Sequence, residues 1–142
     1  MTSIPFLLRD HRDELWQRWA RALEGAVDAE YRELIAGPLG ERMLRGLVND
    51  LIACSEAEEY ELPGLLRGIE SRVTAEARHR LALGFKVLDL LVALHALRGA
   101  IVDVLQDALV QDEMPPFAVS LDQLKNANAF LDRLVCASLA AA

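Results

Sequence analysis

Residues 85–110 constrain this chain more than any other stretch. Placed on a helical wheel, Phe85, Val87, Leu88, Leu90, Leu91, Val92, Leu94, Leu97, Ile101, Val102, Val104, Leu105 and Leu109 cover most of the circumference. Only a narrow stripe of small or polar residues remains, at Asp89, Ala93, Ala96, Ala100, Asp103 and Asp107. A helix that is apolar on nearly every side must be covered on several sides, by its own domain or by a domain on one flank and a second subunit on the other. Lys86, Asp89, His95, Arg98 and Asp103 interrupt it too often for a membrane span. The rest of the chain therefore has to supply amphipathic partners. Its composition fits: Leu and Ala contribute 26 and 21 of the 142 residues, whereas Val, Ile and Thr together contribute 17, a balance that favours helix and starves a sheet. The expectation is one all-α domain spanning residues 1–142, with about six helices packed as a globin-like assembly or a helical bundle.

Punctuation along the chain divides it. Ser3 and Pro5 precede a run with three/four spacing through Leu8, Leu15, Trp16, Trp19 and Leu23, which predicts one first helix of about five turns, stopped near Gly25. A short helix from Asp28 to Ile35 ends at Gly37 and Pro38. Leu39, Met43, Leu44, Leu47, Val48, Leu51 and Ile52 mark the next, and the glutamate-rich stretch 56–61 reads as a solvated connector before Pro63. Leu65, Leu66, Ile69, Val73, Ala77 and Leu81 mark a fourth helix that Gly84 terminates. After Pro115 and Pro116, Ser120 and Gln123 form an S-x-x-Q capping box predicted to open the last helix, residues 120–142. That helix carries Leu121, Leu124, Asn128, Leu131, Val135 and Ser138 at alternating spacings of three and four. Leu124, Asn128, Leu131 and Val135 are thus candidates for a homodimer seam, with ordinary core packing as the competing reading. The chain breaks off in good helix formers, so residues 120–142 are expected to act as an output helix toward a further domain.

Charge and cysteines narrow the function classes. With 15 basic and 22 acidic side chains the surface is net anionic, which disfavours nucleic acid and acidic membranes as partners. Cys54 and Cys136 form no metal-binding or redox motif and nothing at the N-terminus reads as a signal peptide, so a reducing, cytoplasmic setting is expected. No phosphate-binding loop, nucleophile elbow or paired-carboxylate site is present, and enzymatic activity is not expected. No cofactor is expected either, since His11, His79 and His95 lack the spacing of metal or haem ligands.

His95 and Arg98 lie one turn apart, opposite the small-residue stripe and among Leu88, Leu91, Val102 and Leu105, so both are expected to face the interior. A buried arginine needs an anion, and Glu70 or Glu76 are the nearest guesses in sequence. Two readings stand side by side: a satisfied structural ion pair, or a pocket in which His95, Arg98 and Leu91 contact a small ligand. Residues 63–98 carry a local excess of positive charge, including Arg78, His79 and Arg80 in succession; these point around a helix and are expected to pair with the glutamate connector. Trp16 and Trp19, on the apolar face of the first helix, are expected in the core rather than in a cofactor box.

The runs LLRDHRDELWQRWARAL and LGFKVLDLLVALHALRGAIVDVL, with a helix between them, make residues 4–110 resemble the RsbRD N-terminal sensory domain family. These are the amino-terminal modules of RsbT co-antagonist regulators and of some sensor histidine kinases. The likeness rests on His11, Leu15, Trp19, Gly84, Leu97, Arg98 and Ile101 in an apolar frame and carries no catalytic residue. It implies a bacterial, dimeric input domain for stress-response signalling, close to a haem-free globin arrangement and feeding a kinase or regulator partner. A globin-type module binding haem or another small ligand is the alternative.

Overall fold

The computed structural model describes residues 3–142 and is all-helical: α1 (Ile4–Asp10), α2 (Arg12–Ala22), α3 (Ala29–Ala36), α4 (Pro38–Glu56), α5 (Leu62–Ala82), α6 (Val87–Val110) and α7 (Phe117–Ala140). The seventh helix arises because the expected single first helix breaks at His11, which leaves the helical region at φ −103° and ψ 21°. Two hydrogen bonds span the break, from His11 N to Leu7 O and from Leu15 N to His11 O, and keep α1 and α2 joined through it. The imidazole is held 3.1 Å from Glu113, beyond α6.

The other boundaries follow local chemistry. Asp28 caps α3 by accepting from Glu30 N, and Gly84, at φ +99°, provides the left-handed residue after α5. Gly40 permits the sharp α3–α4 junction, because a Cβ there would lie 1.7 Å from the Ile35 carbonyl oxygen. The capping box does not form. The helix begins three residues earlier, at Phe117 behind Pro116, since the proline supplies an extended residue from which a helix can start directly. Ser120 is a buried residue inside the first turn and donates to Pro115 O at 2.8 Å, while Gln123 Oε1 accepts from Ile4 N at 2.7 Å and ties α7 to the start of α1.

The long helices close a ring. α6 packs against α2 on one flank and α7 on the other, α7 packs on α5, α5 on α4, and α4 returns to α2 with α1 and α3 alongside. Ion pairs cross all five of these seams: Arg18 with Asp107 between α2 and α6, Arg98 with Asp132 between α6 and α7, Arg133 with Glu70 between α7 and α5, Arg72 with Asp50 between α5 and α4, and, at 4.0 Å, Arg12 with Glu41 between α2 and α4. Each is exposed enough to add well under about 1 kcal/mol, so their value is in matching each helix to its neighbour. The stabilising core is apolar: Leu8, Leu15, Trp19, Leu44, Leu97, Val104 and Leu131 are all buried. Among the described residues, no helix is long and apolar enough to cross a membrane.

The two tryptophans are core residues with polar anchors. Trp19 Nε1 donates to Ala93 O on α6 and Trp16 Nε1 donates to Ile35 O at the end of α3, both at 2.8 Å. Ala93 and Ala100 let α2 approach α6 closely, and this turns α6 away from its expected orientation. These two residues of the small stripe face inward beside Leu90, Leu97, Val104 and Ala108, whereas Asp103 and Asp107 of the same stripe stay exposed; Leu105 is buried as expected, but Leu88 is 64% exposed and Leu109 66%.

Candidate functional site

That rotation relocates the site. His95 is exposed on the outer face of α6, Arg98 is half-buried and bonds Asp132 on α7, and Leu91 is half-buried. The expected inward cluster of the three is therefore not formed. Neither expected carboxylate partner serves Arg98: Glu70 accepts from Arg133, and Glu76 lies beside Arg72 and Arg80. The α7 seam residues also divide. Leu131 is buried in the chain's own core, Leu124 and Val135 are half-buried, and Asn128 is exposed.

Among the described residues the buried arginine is Arg80, in the last turn of α5 and only 9% exposed. Within the Arg78–His79–Arg80 run it alone points inward, and it does not reach the glutamate connector. Its Nη2 meets a thioether, Met43 Sδ, at 3.0 Å, and the nearest carboxylate oxygen, on Glu76, is 4.0 Å away. Its Nε is buried without a hydrogen-bond partner. A guanidinium in that position has lost hydration and regained a weak acceptor and a distant charge, an unusual balance in a folded core.

Beside Arg80, where α4, α5, α6 and α7 face one another, lies a cavity of about 130 Å³. Leu90, Leu94, Leu97, Val73 and Leu134 form its apolar wall, and Tyr31 closes one side. Arg42, Arg72 and Glu76 also line it and reach solvent, which places the mouth between α4 and α5. Arg80, Arg42, Met43 and Glu76 also border a wider open groove, between the α3–α4 corner and α5, so Arg80 stands on the partition between groove and cavity. Tyr31 stacks edge-on against Phe85 with ring centroids 5.1 Å apart. Burial raises its phenol pKa, and the charge of Arg80 opposes that rise only in part. Burial likewise pushes the Asp50 carboxyl above its ordinary value, against the pull of Arg72.

Cys54 stands elsewhere, between α4, α5 and α7, with its thiol pushed up by burial and then by Asp50, so it is a poor nucleophile. No group of three or more His, Cys, Asp and Glu side chains suited to a metal is formed among the described residues. No histidine lines the inner cavity, and its volume is several times smaller than that of sites for large cofactors. The residues present therefore do not fit haem there.

Sequence reasoning passed over Arg80 because it sits in a basic run that reads as a solvated face. The available signal was its register, three residues beyond Ala77 and one before Leu81 on the apolar side of α5. The described residues thus form a helical bundle with a small core cavity beside a buried, underpaired arginine. Comparison with family models, with curated proteins and with solved structures finds no match for this chain.

Proposed function

We propose that the chain is a regulatory input module of the sensory-domain type that its sequence resembles, in which a small molecule in the core cavity alters how two copies associate through α6. One observation carries the reading: α6 serves two surfaces at once. Leu90, Ala93, Leu94 and Leu97 line the cavity on its inner side, whereas Leu88, His95, Val102 and Leu109, spaced seven residues apart, run exposed along its outer side. Seven-residue spacing is the repeat by which two helices supercoil about each other, and Leu88, Val102 and Leu109 supply the apolar positions. A ligand that favours one inner packing would shift α6 and with it the outer row, and a binding difference between the two packings is all the coupling requires. α7, bonded to α6 through Arg98 and Asp132 and contributing Leu134 to the cavity, is the element through which a change would reach a kinase or regulator partner.

Sedimentation equilibrium tests the association. The expected result is a dimer for the native sequence and a monomer for the Leu88→Lys/Leu109→Lys double variant. The variant should keep its helicity, because exposed positions tolerate such changes within about 0.5 kcal/mol. A native chain that stays monomeric at every concentration, or a double variant that still dimerises, overturns the outer row of α6 as the interface.

A further inference from the structure

The chemistry of the cavity wall names a ligand class. Arg80 presents a buried Nε with no partner and an Nη2 spent on the Met43 thioether, 3.0 Å away. Of the two carboxylates on the wall, Asp50 is engaged by Arg72 and Glu76 stays 4.0 Å from Arg80, so neither neutralises the guanidinium at contact distance. A planar guanidinium with free donors is matched by a carboxylate, which accepts two of its N–H groups at once. Beyond the arginine the inner wall is mostly apolar, formed by Leu90, Leu94, Leu97 and Leu134 with the rings of Trp19 and Tyr31, and the Ser138 hydroxyl on it already donates to Leu134 O. The volume, about 130 Å³, is close to that of apolar cavities that hold a benzene-sized guest, and limits the ligand to about six non-hydrogen atoms.

We propose that this cavity is a receptor site for a short-chain aliphatic monocarboxylate, its carboxylate on Arg80 and its tail among the leucines of α6 and α7. The proposal rests on the reading of the cavity as the input site, and adds what enters it. An aliphatic amine of equal length would place a second cation against Arg80. An alcohol would leave the guanidinium's charge uncompensated. Both should be rejected relative to the acid.

The test is isothermal titration calorimetry of the full chain with butyrate, butylamine and 1-butanol. Butyrate is expected to bind once per chain with a Kd on the order of 1 mM, in keeping with a ligand of six non-hydrogen atoms. The amine and the alcohol are expected to bind at least about tenfold more weakly. Arg80→Met should weaken butyrate by about tenfold or more and bring the acid and the alcohol to similar affinity. Gly46→Leu is a second variant that leaves Arg80 in place. Gly46 lines the cavity and has no atom within 4 Å of where a Cβ would stand, so the new side chain enters open space and should abolish binding of all three compounds.

No saturable butyrate binding, or butyrate affinity unchanged in either folded variant, overturns the site. Sedimentation equilibrium of the same samples with and without butyrate separates the two proposals. Binding that leaves association unchanged keeps the carboxylate site and removes the coupling through α6; a butyrate-insensitive dimer without binding removes the carboxylate site and keeps the α6 interface.

Discussion

Three residues expose the local physics of this fold. Gly40 is required by space rather than by conformation, because any Cβ would strike the Ile35 carbonyl. Gly40→Ala should cost about 3 kcal/mol or more in denaturant unfolding, since α3 must separate from α4 to admit a methyl group. Gly46, two turns further along the same helix, has open space at its Cβ position. Gly46→Ala should gain about 0.5–1 kcal/mol by reducing the freedom of the unfolded chain and raising helix propensity. Equal effects at the two glycines would refute the α3–α4 geometry. Asp50 adds a pH dependence whose sign follows from its raised pKa, caused first by burial. Above its ordinary value the folded chain retains a proton that the unfolded chain has released, so this carboxyl makes stability fall as pH rises from about pH 4. Measured as a difference, the native chain should lose stability relative to Asp50→Asn over that window and match its trend at lower pH.

At the scale of elements, α6 is the informative helix. It has apolar residues to spare on every side, yet the buried side is the one with alanines. Large side chains on both partners would hold α2 and α6 apart, whereas Ala93 and Ala100 let them close until the Trp19 indole reaches the Ala93 carbonyl. Two neighbouring leucines should therefore behave oppositely. Leu97, buried and on the cavity wall, should lose about 3 kcal/mol on truncation to Ala. Leu88, 64% exposed, should lose less than about 0.5 kcal/mol when measured in a monomeric background. The reverse order would mean that α6 is rotated toward the orientation its wheel alone suggests.

Across the whole molecule, the closed order of helices implies cooperative behaviour. Trp16 reports the α2–α3 contact and Trp19 the α2–α6 contact, while far-ultraviolet circular dichroism reports all the helices, dominated by α4 to α7. Because every helix packs against at least two others, losing any one uncovers its neighbours. Tryptophan fluorescence and circular dichroism should follow a single coincident denaturant transition. Separated midpoints would instead mark α1–α3 as a unit that can open while α5–α7 persist.

Much of this architecture is legible from the chain without its structure. The helical class follows from composition, and the breaks at Gly37–Pro38, Gly84 and Pro115–Pro116 are where backbone chemistry demands them. Such features are local, and a few adjacent residues determine them. The bend at His11 was not legible, since the three/four pattern runs through it, and neither was the start of α7, where Ser120 is occupied by Pro115 instead of capping. The interior and exterior of α6 depend on more distant partners. When nearly the whole circumference is apolar, periodicity carries almost no directional information, and the choice passes to the shape of the facing helices. The same choice exchanged one arginine for another: Arg98 went to the surface with Asp132, and Arg80 came into the core beside a cavity that exists only once four helices have met. Local chemistry thus marks most of the helical segments, whereas which side of each is buried and where space is left follow from packing, because cavities and buried charges are properties of surfaces that meet from far apart in the chain.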